Sequence, residues 1–75
     1  MWIKVISPFA VRGLAEDGTL ELKEGARVRD LLRRSLPAAL YATLVPVSVN
    51  GRQVQPAHRL QDGDLVVILM PISGG

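Results

Sequence analysis

Six consecutive apolar residues, Leu65-Val66-Val67-Ile68-Leu69-Met70, lie close to the C-terminus and are followed by Pro71. A helix of a small protein buries one stripe, so a run apolar at every position reads as a strand with both faces covered or neighboured. Such a strand belongs in the middle of a sheet, and Pro71 stops its ladder. The run is also far short of the about 18 residues needed to span a bilayer. The chain must therefore build a sheet whose centre is supplied by its final segment.

Other segments supply the neighbours. Trp2 to Ile6 is rich in β-branched residues and is closed by Ser7-Pro8. In Thr19 to Lys23, Leu20 and Leu22 alternate with polar residues, after a turn at Asp17-Gly18. From Val45 to Asn50, Val45, Val47 and Val49 share one side, and Asn50-Gly51 then supplies the positive-φ pair of a hairpin turn, with Gln53-Val54 returning. Asp62-Gly63 turns the chain into the last strand. Val28, Leu31, Leu32 and Leu36 recur with helical spacing, while Arg27, Arg29, Asp30, Arg33 and Arg34 fill the other faces. Ser35-Leu36-Pro37 ends that helix. Further helical turns are expected at 38–42, with Pro37 in the first position, and at Pro8 to Arg12. The order strand, strand, helix, strand, short strand, strand predicts an α+β protein: a mixed four- to five-stranded sheet with one main helix on one face. With the first and last strands as parallel central neighbours, this is a β-grasp, the ubiquitin-like fold.

Function is constrained by what is missing. With 75 residues, folding hides only about 60% of the chain's surface, yet the 48% hydrophobic content and mean hydropathy of +0.24 exclude a disordered linker. There is no cysteine to staple the fold, ligate a metal or act as nucleophile, and the single histidine, His58, cannot make a zinc site or an acid–base pair. Asp62 and Asp64 belong to an Asp-Gly-Asp turn, His58 to a polar loop, and no glycine-rich loop joins a strand to a helix. Nine Lys+Arg against seven Asp+Glu give a net charge of +2, and only three aromatic residues could stack on bases, so the helix arginines read as a solvated face and no nucleic-acid partner is expected. The opening residues form a charged strand pattern and not an export signal, so a cytoplasmic protein with no membrane partner is expected.

What is left is the segment Pro71-Ile72-Ser73-Gly74-Gly75. Five extended residues reach about 17 Å, and two glycines lacking Cβ atoms can enter a narrow channel. Together they would present the terminal carboxylate of Gly75 to another protein's active site.

Several pieces in fixed order carry a resemblance: Ile3-Lys4-Val5, Phe9-Ala10-Val11-Arg12, Asp30-Leu31-Leu32-Arg33, Val49-Asn50-Gly51, Leu60-Gln61-Asp62-Gly63-Asp64 and Gly74-Gly75. The chain resembles, along essentially its whole length, the MoaD/ThiS family of β-grasp sulfur carrier proteins. Its Phe9-Ala10-Val11-Arg12 element and Pro71 to Gly75 ending look more like the small subunit of molybdopterin synthase than the thiazole carrier.

The resemblance implies a single β-grasp domain over 1–75, with 71–75 as a flexible tail. It implies a carrier without an active site of its own. An E1-like adenylyltransferase using ATP and Mg²⁺ would activate Gly75, which would then carry sulfur covalently as a thiocarboxylate. Gly74, Ser73, Ile72 and Pro71 would thread into the partner, and Phe9 and Arg12 would touch it. No cofactor is bound tightly and no metal is held. The acceptor would be an enzyme such as the molybdopterin synthase large subunit or thiazole synthase. Carriers for thiazole or other thio-products, and a ubiquitin-like modifier or interaction module, are the alternatives.

Overall fold

The computed structural model describes residues 1–35 and 45–69. Five strands and one helix follow in the order β1 (Trp2–Ile6), β2 (Thr19–Glu21), α1 (Val28–Leu32), β3 (Val47–Val49), β4 (Arg52–Val54) and β5 (Leu65–Ile68). In space the strands run β2-β1-β5-β3-β4. β1 and β5 are parallel, with Lys4 opposite Leu65 and Ile6 opposite Val67, and every other pairing is antiparallel. The last strand is thus central, as its apolar run demands.

Period-two alternation decides what each strand buries. Ile3 and Val5 of β1, Leu20 of β2, Val47 and Val49 of β3, and Val66 and Ile68 of β5 all face inward. They meet Val28, Leu31 and Leu32 of α1, whose spacing puts all three on one side of a short helix. Each fully buried Val, Leu or Ile is worth about 1.5–3 kcal/mol, the main favourable term available to a chain without disulfides.

The Asn50-Gly51 turn forms as the sequence requires, with φ of 53° and 86°. Both residues need positive φ to match the twist of the flanking strands, and asparagine tolerates it better than most side chains.

Several expectations are corrected. The helix stops at Leu32, about one turn early, because Arg34 and Ser35 donate their N–H groups to Leu31 and Leu32, three residues back, at 3.0 and 3.1 Å. That tighter bonding winds the chain out of the α geometry. The Ser35 hydroxyl then donates to the Ala10 carbonyl at 2.8 Å, tying the helix exit to the segment after β1. Pro8 to Arg12 holds no helical turn. The Phe9 N–H is taken by the Ser7 hydroxyl at 2.9 Å, and Gly13, at φ 88°, reverses the chain so that Leu14 bonds to Val11. β2, β3 and β5 are each shorter than their apolar patterns. The second helix expected at 38–42, the role of Leu36-Pro37, and the Pro71 stop lie outside the described residues.

The start of α1 is capped from a distance. Arg27 precedes the helix but has no side-chain acceptor to offer. Instead the N–H groups of Val28 and Arg29 donate to the carbonyls of His58 and Pro56 at 2.9 and 2.8 Å. Asp30 reaches back to accept the Arg27 N–H at 2.8 Å. Two orphan donors of the first turn are therefore satisfied by the loop at 55–60, which is pinned to the helix.

Candidate functional site

The helix covers one face of the sheet; among the described residues nothing packs on the other, which is more apolar than a solvated face needs to be. Trp2, Ile6, Leu65 and Leu69 are 54%, 53%, 38% and 50% exposed. Their positions follow from register. Ile6 sits opposite Val67, which sits opposite Ser48, and Leu65 sits opposite Lys4. Leu65, Val67 and Leu69 occupy alternate positions of one chain segment and so share this face. Parallel neighbours lie about 4.8 Å apart, which places Ile6, Leu65, Val67 and Leu69 in one band. Lys4, Ser48 and Gln53 add polar groups on the same face. Contiguous apolar surface with a polar border marks a contact site for another macromolecule. The band ends at Leu69, whose N–H still bonds to Pro46 at 2.9 Å. The next residues in sequence lead to Gly75.

β5 is central and neighboured on both edges, as its apolar run requires, but only one of its faces is covered by the helix. Its second apolar row is left to solvent in the isolated chain.

The opposite end of β5 is locked by a buried carboxylate. Asp64 accepts the Asn50 side-chain N–H at 2.9 Å and the Gln61 backbone N–H at 2.8 Å. The Asn50 carboxamide oxygen accepts from the Leu65 N–H at 2.9 Å, joining the hairpin turn to the first residue of β5. Asp62 accepts from the Trp2 N–H at 2.6 Å. These acidic residues are structural, as their place in a turn motif implies. Asp17 does similar work in the β1–β2 turn. The Thr19 hydroxyl and amide both donate to its carboxylate, which holds its pKa below the usual 3.8.

Among the residues expected to meet a partner, Phe9 is half-buried against the core and Arg12 is exposed, its N–H bonded to the Arg34 carbonyl at 2.9 Å. Pro71, Ile72, Ser73, Gly74 and Gly75 lie outside the described residues. The residues that sequence reasoning missed are Trp2, Ile6, Leu65 and Leu69. The signal was their parity: each is apolar at a position alternating with core residues of the same segment. His58 is exposed in its loop. Among the described residues no group of three His, Cys, Asp or Glu side chains could hold a metal ion, and no helix is long and apolar enough to cross a membrane.

A mixed sheet with its first and last strands parallel at the centre, and the described helix packed on one face, defines the ubiquitin-like β-grasp class. The chain belongs to the ThiS family, which matches it over residues 10–75, and so to the wider MoaD/ThiS group. Among solved structures, a protein from Pyrococcus furiosus described as molybdopterin converting factor, subunit 1, is 31% identical, with a TM-score of 0.65, over 96% of this chain and 99% of that one. SAMP1 from Haloferax volcanii is 20% identical with a TM-score of 0.64, and the match covers 100% of both chains; that likeness concerns the fold alone. No curated protein matches the chain.

Proposed function

We propose that this protein carries sulfur on the carboxyl group of Gly75 and delivers it during molybdopterin biosynthesis. The observation that carries the reading is that the family match runs through Gly74-Gly75, on a fold whose central strand leads toward that segment. The likeness to a molybdopterin converting factor subunit supports the choice of pathway over thiazole formation.

The chemistry suits a carrier with no catalytic group of its own. A carboxylate resists nucleophiles because it is anionic and would have to expel oxide. An E1-like partner would use ATP and Mg²⁺ to join a carboxylate oxygen of Gly75 to the α-phosphorus, expelling pyrophosphate. A sulfur nucleophile would then displace AMP and leave a thiocarboxylate. That group stays ionised at neutral pH and is a soft nucleophile, as a thiolate is. The chain's contribution is recognition, for which the band Ile6, Leu65, Val67 and Leu69 supplies desolvatable surface, and delivery by residues 71–75. The acceptor in this reading is the large subunit of molybdopterin synthase.

Incubation with the E1-like enzyme, ATP and Mg²⁺ should release pyrophosphate. With a sulfur donor present, intact mass should rise by about 16 Da, the exchange of oxygen for sulfur. Sulfur loading that survives deletion of Gly75 would overturn the proposal. Capture of thiazole synthase in place of the molybdopterin synthase subunit would redirect the pathway.

A further inference from the structure

The chain's charges are segregated. Four arginines, Arg27, Arg29, Arg52 and Arg59, gather on the flank formed by the start of α1, the loop at 55–60 and the hairpin. Backbone pairing holds them there: Arg27 and Arg59 are bridge partners, Arg29 bonds to Pro56, and Leu60 bonds to Ala26. Arg52 lies opposite Val49 and so projects to the helix side of the sheet, together with Val49. Arg52, His58 and Arg59 line one cleft of about 350 Å³ with Asn50, Gln61 and Asp64.

None of the four guanidinium groups has a carboxylate within 4.0 Å among the described residues, where Asp30 is bridged to Arg33 at 3.5 Å and no other Arg–carboxylate pair occurs. Asp64 already spends one oxygen on Asn50 and the other on Gln61. From Val45 to Leu60 the sequence has no acidic residue at all. Holding like charges together in this way destabilises the isolated fold, and an anionic ligand relieves it.

We propose that this flank binds an acidic segment of a partner protein, with Arg52 and Arg59 gripping its carboxylates. Arginine presents a planar fork of donors matched to a carboxylate, and the exposed Gln61 carboxamide lines the same cleft. A protein segment fits better than a nucleic acid. Neither aromatic side chain among the described residues, Trp2 on the open face and Phe9 against the core beyond β1, lies on this flank to stack a base. The cleft adjoins the beginning of β5 on the helix side, whereas Leu69 lies at the other end and the apolar band on the other face. The acidic segment can therefore be held while the open face and the C-terminal segment are engaged elsewhere. This surface stands whether or not Gly75 carries sulfur.

The test uses the full chain and a fluorescently labelled Glu-Ser repeat peptide, read by anisotropy. Binding should be measurable at about 0.02 M salt and fall steeply by about 0.3 M. The double variant Arg52→Gln/Arg59→Gln should weaken it by about tenfold or more, and Arg29→Gln by a smaller factor, while Lys4→Gln on the opposite face changes nothing. All these side chains are exposed, and unchanged melting of the variants checks that the fold is intact. Equal affinity of the wild type and the double variant overturns the proposal, as does absence of binding at low salt. Tighter binding of a charge-matched RNA duplex, lost in the same variant, overturns it in favour of a nucleic-acid surface.

Discussion

The two faces of one sheet are built from similar residues but have opposite fates. On the helix side, Val47, Val49, Val66 and Ile68 are almost wholly buried, while one position away Ile6, Leu65 and Leu69 stand about half in water. Hydrophobicity alone therefore does not say which residues make the core; the partner across the gap does. The helix completes one face, and none of the described elements packs on the other. A residue on the first face should govern stability, and one on the second should govern association.

The largest effect should come from breaking the covered face. Leu31→Ala or Val66→Ala empties a site with no solvent access and should cost about 2–4 kcal/mol, read as a fall in the denaturation midpoint. So small a protein has little stability to lose, and partial unfolding at ambient temperature is expected. The complementary experiment leaves the fold alone. Ile6→Gln with Leu69→Gln should change the melting temperature little, yet slow pyrophosphate release with the activating enzyme by about tenfold or more. Equal stability losses from both sets would erase the distinction between the faces.

The junction between hairpin and β5 gives an intermediate effect. Asn50→Ala removes two hydrogen bonds, leaves Asp64 short of a donor, and puts a poorer residue at positive φ. It should cost about 1–3 kcal/mol, with amide exchange rising first around Leu65.

The smallest effect belongs to the exposed β1–β2 turn. The Thr19 hydroxyl and amide depress the Asp17 pKa below 3.8, so ionised Asp17 is bound more strongly in the folded chain than in the unfolded one. Its contribution is present above the unfolded value of about 3.8 and is lost as pH falls through the lower folded value. Asp17→Asn, which has no proton to give up, should melt slightly below the wild type at neutral pH. The gap should close on acidification below that window.

Much of the architecture was legible because alternation and turn chemistry are local. Val45, Val47 and Val49 announce an inward row, Asn50-Gly51 fixes the register that follows, and the unbroken apolar run of β5 places it at the centre. The length of α1 was harder to read. Leu36 continues the apolar stripe, but three-residue back-bonding by Arg34 and Ser35, with the Ser35 hydroxyl reaching Ala10 from 25 positions away, ends the helix first. Local periodicity does not encode such a contact. The open face was half legible: residues of the wrong parity were visible in Trp2 and Ile6, but only the sheet order shows that Ile6 adjoins the row Leu65, Val67 and Leu69. The arginine flank was visible as a helix pattern alone, because Arg59 joins it through its bridge to Arg27, far back in the chain, and Arg52 through the cleft it lines with Arg59.

The parallel union of β1 and β5 has a bearing on how the molecule comes into being. Until residues 65–68 emerge during synthesis, the β1–β2 and β3–β4 pairs share no strand pairing, and only α1 with the loop at 55–60 ties the two halves together. The last strand acts as the keystone, so a prematurely halted translation product cannot masquerade as a folded one. Assembly is correspondingly late and non-local, and any product that reaches the native state has necessarily been extended to the threshold of the segment leading to Gly75.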